Sequence, residues 1–371
     1  MKNALKLGTF FGIPIAIHWT FILILIFFAW RGMSNDLNPT EISLLLVFIL
    51  TLFLCVVLHE LGHALTARRF GIKTHSIVLL PIGGVASLEK MPEKPSQELM
   101  VALAGPAVNV VIALILYPFT DYTYFTETIN PNPEDPTQMV MFKASSTFFV
   151  TYLFVVNIVL IIFNLLPAFP MDGGRVFRAL LSFAMPAHKA TRIAATFGQI
   201  IAVGFILIGL FSAPFNPLIV IIGLFIFLGA KSESDFKQKE FFMKGFTVKD
   251  VMLKEYGTLQ KNASIQEAVE MLLKGQSSEF IVLNNGEYVG VLGRDALIQS
   301  IKTQSKEESV GSIMKYAEPL SPNQALKDVF ANAAKSDVKI WPVMQDGKLI
   351  GALDYENITE FLMIRSALDT A

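Results

Sequence analysis

His59 and His63 stand four residues apart, with Glu60 directly after the first of them. On a helix that spacing turns one side chain from the other by only about 40°, so both imidazoles face the same way and can grip one divalent cation. Glu60 sits beside them, placed to handle a proton. In zinc-dependent hydrolases this HExxH arrangement supplies two metal ligands and a carboxylate that acts as general base towards water. The setting is unusual, because no charged residue lies between Ile42 and His59. Ionisable side chains at such a depth of apolar sequence are costly and point to function. Cys55, one turn before His59, is read as a small packing residue rather than a further ligand.

A catalytic zinc usually takes three protein ligands and keeps one position open. The third candidate is Asp172, within Asn164-Leu165-Leu166-Pro167-Ala168-Phe169-Pro170-Met171-Asp172-Gly173-Gly174. Two prolines prevent a regular helix there, and irregular backbone at membrane depth survives only where protein or a water-filled cavity surrounds it. Such a segment can wall a site. The competing role for Asp172 is to cap a helix beginning near Gly173.

These residues need elements to hold them, and composition says what kind. The 371-residue chain is 53% hydrophobic with a mean hydropathy of +0.53, too apolar for an ordinary soluble protein. Apolar stretches at 15–30, 42–67, 99–119, 145–166, 190–211 and 215–230 predict six membrane spans. Lys2, Lys6, Arg68, Arg69, Lys73, Lys90, Lys94, Arg175, Arg178, Lys189, Arg192 and Lys231 flank them on one side, which predicts both termini in the cytoplasm. The loop carrying Asp121, Glu127, Glu134 and Asp135 falls on the other side, with Lys143 as an exception. A net charge of -1 gives no reason to expect nucleic acid as a partner. A single cysteine excludes an intrachain disulfide.

HExxH in the second span together with NxxPxxPxDG after the fourth resembles the site-2 protease family of intramembrane zinc metalloproteases. The resemblance covers roughly residues 8 to 230. It implies His59, His63 and Asp172 as ligands of one Zn2+, Glu60 as the catalytic carboxylate, and cleavage of transmembrane protein substrates close to the cytoplasmic face of the cell membrane. Gly105-Pro106-Ala107-Val108-Asn109 resembles the family's GPxxN. Asn109, Asn157 and Asn164 are polar groups in apolar spans, available either to hold a substrate carbonyl or to bond between helices. Residues 76–87 read as a ribbon with Ile82-Gly83-Gly84-Val85 at its tip, whose edge could pair with an unwound substrate. The competing reading is a membrane-skimming loop. His18 is read as a hydrogen-bonded structural residue.

Charge becomes mixed after residue 230, through a helix-permissive connector at 231–245. A repeat of about 60 residues then appears: Val248-Lys249-Asp250-Val251-Met252 recurs as Val310-Gly311-Ser312-Ile313-Met314, and Tyr288-Val289-Gly290-Val291-Leu292 as Leu349-Ile350-Gly351-Ala352-Leu353. Each copy orders helix, strand, turn, strand and helix, which resembles a tandem pair of CBS domains at 246–304 and 305–371. The expected architecture is thus a multi-pass α-helical membrane domain of six spans, residues 1–230, with a cytoplasmic α/β tandem CBS module. Such pairs commonly bind an adenine nucleotide, for which Asp295 is the ribose-contact candidate, or form a homodimer through stacked helices. A rival from another class is a CBS-regulated membrane cation transporter or channel, although permeation has no need of Glu60 at its offset.

Overall fold

The computed structural model describes residues 4–81, 83–89, 91–92, 94–121, 146–275, 278–303, 308–333 and 336–370. Lys2, Ile82, Lys90, Glu127, Glu134, Asp135 and Lys143, used above for side and turn assignments, lie outside them. The chain divides into two compact units, Met1–Asp235 and Phe236–Ala371.

The first unit opens with a hairpin, β1 (Ala4–Phe10) and β2 (Ile13–His18), joined through Phe11 and Gly12, both at positive φ. The expected span at 15–30 is corrected here. Ile13, Ile15 and Ile17 alternate with Pro14, Ala16 and His18, a period of two that suits a strand, and the helix α1 begins only at Phe21 and runs to Ser34. Helix α2 (Pro39–Arg69) is started by Asn38, which accepts from the backbone N–H groups of Thr40 and Glu41 while Glu41 accepts from Asn38 N–H. Strands β3 (Thr74–Leu80) and β4 (Gly83–Leu88) follow and join the first hairpin in one sheet, ordered β1-β2-β3-β4. The ribbon expected at 76–87 is therefore present, and among the described residues β4 is an edge strand of this sheet.

Helices α3 (Pro95–Leu116), α4 (Ser146–Asn164), α5 (Asp172–Ser182), α6 (Ala187–Phe211) and α7 (Pro217–Phe242) complete this unit and lead out of it. Among the described residues, four helices are long and apolar enough to cross a membrane: α2, α3 with its following turn to Phe119, α6 and α7. Apolar helices at Phe21–Ser34 and Phe149–Asn164 are shorter. Sharp packing between helices uses small residues, as where Ala64, Ala67, Ala102, Ala194 and Ala202 are buried.

The second unit carries the repeat. Strand β5 (Thr258–Gln260), helix α8 (Ile265–Leu273), strands β6 (Glu279–Asn284) and β7 (Glu287–Gly293) and helix α9 (Arg294–Thr303) form the first copy. Helix α10 (Leu326–Ala333), strands β8 (Ile340–Gln345) and β9 (Lys348–Asp354) and helix α11 (Tyr355–Thr370) form the second. Each strand pair turns through two residues at positive φ, Asn285-Gly286 and Asp346-Gly347, the chemistry a tight hairpin demands.

Candidate metal centre

Three side chains from two helices converge. His59 and His63 lie in α2, and Asp172 is the first residue of α5. The Nε2 atoms of the two histidines are 3.1 Å apart, and Asp172 Oδ2 lies 3.1 Å from the first and 3.0 Å from the second. All three are buried, at 6%, 4% and 7% exposure.

The other ring nitrogens are tied down by one face of α3. His63 Nδ1–H donates to the Val101 carbonyl at 2.7 Å, and His59 Nδ1–H donates to Asn109 Oδ1 at 2.5 Å. Both acceptors can only accept, so each ring is held in the tautomer that leaves Nε2 with its lone pair. Asn109 Nδ2 donates in turn to Asn157 Oδ1, whose own Nδ2 reaches Leu153 O and Cys55 Sγ. Cys55 thus stands behind the site. Between Val101 and Asn109 on that face lies Gly105, where a Cβ would fall 2.1 Å from His63 Nε2 and 2.6 Å from His59 Nε2. Only a glycine lets α3 come so near.

Asp172 arrives by a folded-back segment. Ala168 N–H donates to Leu166 O and Met171 N–H to Ala168 O, and the first turn of α5 packs onto this loop through Gly173 and Gly174, where Cβ atoms would meet Leu166 O at 2.2 Å and Ala168 C at 2.6 Å. The N-cap position belongs to Met171. The Asp172 carboxylate itself faces the two imidazoles.

The donor set fits a divalent cation. Two imidazole nitrogens and a carboxylate oxygen, all electron-pair donors, crowd within about 3 Å in a buried space, an arrangement that a cation among them stabilises. Edges of 3.0–3.1 Å are close to the roughly 3.3 Å ligand separation of a tetrahedral set with bonds of about 2.0–2.1 Å, and two nitrogens with one oxygen suit zinc.

Glu60 is half-buried next to this group, and the backbone of β4 lies against it: a Cβ at Gly84 would be 2.8 Å from Glu60 Cγ. Gly83 precedes it on the same strand at φ +135°. Asn164 is half-buried at the end of α4. His18 Nδ1 pairs with Thr20 Oγ1 at 2.7 Å, away from the metal group. Asp295 is exposed in the first turn of α9 and lines neither of two clefts in the second unit, one of about 460 Å3 beside Glu279, Arg294, Lys339 and Asp354 and one of about 300 Å3 beside Tyr316, Asn332 and Trp341. Sequence reasoning missed three features: the role of Gly105, the Val101 carbonyl, and a buried Arg178 that joins Glu98 and Glu233. The first had a signal, since a glycine stands four residues before Asn109 in a helix that must pass the histidines.

Apolar helices long enough to cross a membrane, a buried His-His-Asp group and an adjacent glutamate define a membrane metalloprotease. Comparison with known proteins agrees. The profile of peptidase family M50 matches residues 47–208, and that of the CBS domain matches residues 248–303. A zinc metalloprotease of Methanocaldococcus jannaschii is 34% identical over 98% of this chain and 97% of its own length. The stage IV sporulation protein FB of Bacillus subtilis is 24% identical over 63% of this chain and 72% of its own. A solved site-2 protease from Methanocaldococcus jannaschii is 36% identical, with a TM-score of 0.42, covering 62% of this chain and 95% of that one. The chain belongs to peptidase family M50, the site-2 protease family, and is a zinc metalloprotease carrying a CBS pair. The transporter or channel reading is not favoured.

Proposed function

We propose that the chain cleaves transmembrane protein segments with His59, His63 and Asp172 holding one zinc ion and Glu60 carrying the proton. The observation that supports this most strongly is that both Nδ1 atoms are already engaged by α3, so that both Nε2 atoms are free to meet the Asp172 carboxylate. Zinc, when bound, supplies a Lewis acid for the scissile carbonyl and brings water into the range where it ionises near neutral pH. The Glu60 carboxylate takes the proton of the attacking water and returns it to the departing amide nitrogen. The contact between Glu60 and Gly84 supports a substrate laid along the β4 edge, with Gly83 and Gly84 offering unobstructed backbone. Pairing there unwinds the substrate, which peptide hydrolysis requires because a helical amide is shielded. Asn164 is the amide available to the carbonyl oxygen as charge develops on it. Asn109 serves from behind His59.

Six apolar helices across the cell membrane, both termini cytoplasmic and the cut near the cytoplasmic face are the topology we infer from the placement of Lys and Arg. We assign 1–230 to the membrane protease domain, 231–245 to the connector, and 246–304 and 305–371 to the CBS repeats. The repeats serve as a dimerising module, and an adenine nucleotide has an aromatic-walled cleft beside Tyr316 and Trp341. Purified full-length chain mixed with a transmembrane substrate tests the reading. Cleavage that stops with a chelator, returns with zinc, and is absent in Glu60→Gln is the expected result. A zinc-loaded chain that leaves every transmembrane substrate intact, or a Glu60→Gln variant that cuts normally, refutes it.

A further inference from the structure

Arg178 is 3% exposed in the middle of α5, six residues on from Asp172, and it binds two carboxylates from two other helices. Its Nε donates to Glu98 Oε1 at 2.7 Å, its Nη2 donates to the same oxygen, and its Nη1 donates to Glu233 Oε1 at 2.7 Å. Glu98 is buried in the first turn of α3, and Glu233 lies on α7. The guanidinium also stands 5.3 Å from the ring centre of Phe169, itself 1% exposed in the loop that delivers Asp172. One buried cation shared by a buried and a half-buried carboxylate is an expensive way to join three helices if joining were all it did, since apolar packing does that at lower cost.

What it joins is informative. The buried residues of α3 include Glu98, Val101, Gly105 and Asn109. Val101 and Asn109 orient the two histidines, and Glu98 grips the helix that starts with Asp172. A single stripe of α3 therefore references all three metal ligands. On the other side, α7 meets the loop before Asp172 and, about one turn later, α5 itself: a Cβ at Gly229 would fall 2.6 Å from Pro170 Cδ, and Glu233 holds Arg178. Ala230, between them, packs against Phe169.

We propose that Arg178 is a positioning residue for the metal group, locking the Asp172 helix to the face of α3 that orients His59 and His63, and that Glu233 makes α7 a lever on that helix. The proposal rests on the metal-ligand reading above. Helix α7 runs on to Phe242, which packs into a core of the second unit that Met243 and Val248 share with Leu326 and Leu362.

The test uses the full chain in detergent loaded with zinc alone, and follows the rate of zinc transfer to excess chelator together with thermal unfolding of the metal-free protein. Glu233→Gln keeps the buried Arg178–Glu98 pair, so the metal-free midpoint stays at the wild-type value while zinc leaves about tenfold faster. Arg178→Lys keeps the charge but cannot fork to both carboxylates, and releases zinc at least as fast. Lys231→Gln, at an exposed site two residues from Glu233, changes neither quantity. Zinc release by Glu233→Gln equal to wild type overturns the proposal, and so does a metal-free midpoint that falls as far as the zinc-bound one, which marks a plain strut. A wild type that retains no zinc overturns the metal-ligand reading and this one together.

Discussion

Gly105→Ala adds one methyl group at the point where α3 meets the two histidines, and its consequence follows from the distances. The new Cβ would lie 2.1 Å from His63 Nε2, whereas ordinary contact begins at 3.4 Å, so the ring or the helix must retreat by about 1.3 Å. Neither can do so freely. The His63 ring is pinned at Nδ1 by Val101 O, and moving α3 outward breaks that bond and the one from His59 to Asn109. Zinc–nitrogen bonds tolerate displacements of about 0.2 Å. The variant should therefore bind zinc at least about 100-fold more weakly, as when the partners that orient metal ligands are lost. The backbone gives no other reason for harm, since alanine favours a helix interior over glycine by about 1 kcal/mol. Gly204 on α6 is the control: a Cβ there meets nothing within 4 Å, so Gly204→Ala should hold zinc normally and be slightly more stable. Metal analysis of the purified proteins, with cleavage of a transmembrane substrate measured beside it, reads both effects. A Gly105→Ala chain that keeps one zinc and wild-type turnover would show that α3 does not bound the metal space.

Other perturbations separate the roles of neighbouring groups. Glu60→Gln should lower kcat by about 100- to 10,000-fold while zinc content stays the same, because it removes a proton carrier and leaves the ligands. Asn109→Ala should weaken zinc binding by about 10- to 100-fold, measured by chelator competition, and also leave Asn157 without the donor to its Oδ1. In the second unit, burial first, then the charges of Asp354 and Asp295, push the Glu279 carboxyl up to about 7 from an ordinary 4.5. The folded chain then keeps a proton that the unfolded chain has released across that window, so the unit loses stability as pH rises from about 4.5 to 7 and Glu279→Gln flattens the slope. Urea unfolding followed by Trp341 fluorescence, in a Trp19→Phe, Trp30→Phe background, measures it; an unchanged slope in Glu279→Gln would assign the pH dependence to other groups.

The site was legible in the sequence wherever chemistry is written as local spacing. His59, Glu60 and His63 declare themselves because a helix converts an offset of four into a shared face. Asp172 was legible through its two prolines, which signal irregular backbone that must be sheltered. The CBS repeats were legible because duplication leaves the same order of elements in both copies, each hairpin closed by a short polar residue and a glycine, Asn285-Gly286 and Asp346-Gly347. The N-terminal strands were not, since a run such as Ile13 to Trp30 satisfies a hydropathy window whether it is one helix or a strand followed by a helix, and only the alternation around Pro14 and Ala16 tells them apart. Nor was the ion triad. Glu98, Arg178 and Glu233 are far apart in sequence, and each alone reads as a charge at the end of an apolar segment.

What the sequence hides is long-range agreement, and α3 is where that agreement concentrates. It supplies none of the three converging donors, yet its side chains and backbone decide which nitrogen of each histidine is free and where the aspartate helix sits. An apolar helix could carry that load only by accepting costly polar groups on one stripe: Glu98 and Asn109, each buried and each satisfied by a partner from another helix. Because every such group answers to a group on α2, α4 or α5, helices that could otherwise slide past one another in lipid have a single register in which all the bonds are made. That register is the one in which the imidazoles of His59 and His63 meet the Asp172 carboxylate, so the polar groups that cost folding energy are the same ones that specify the geometry of the proposed zinc site.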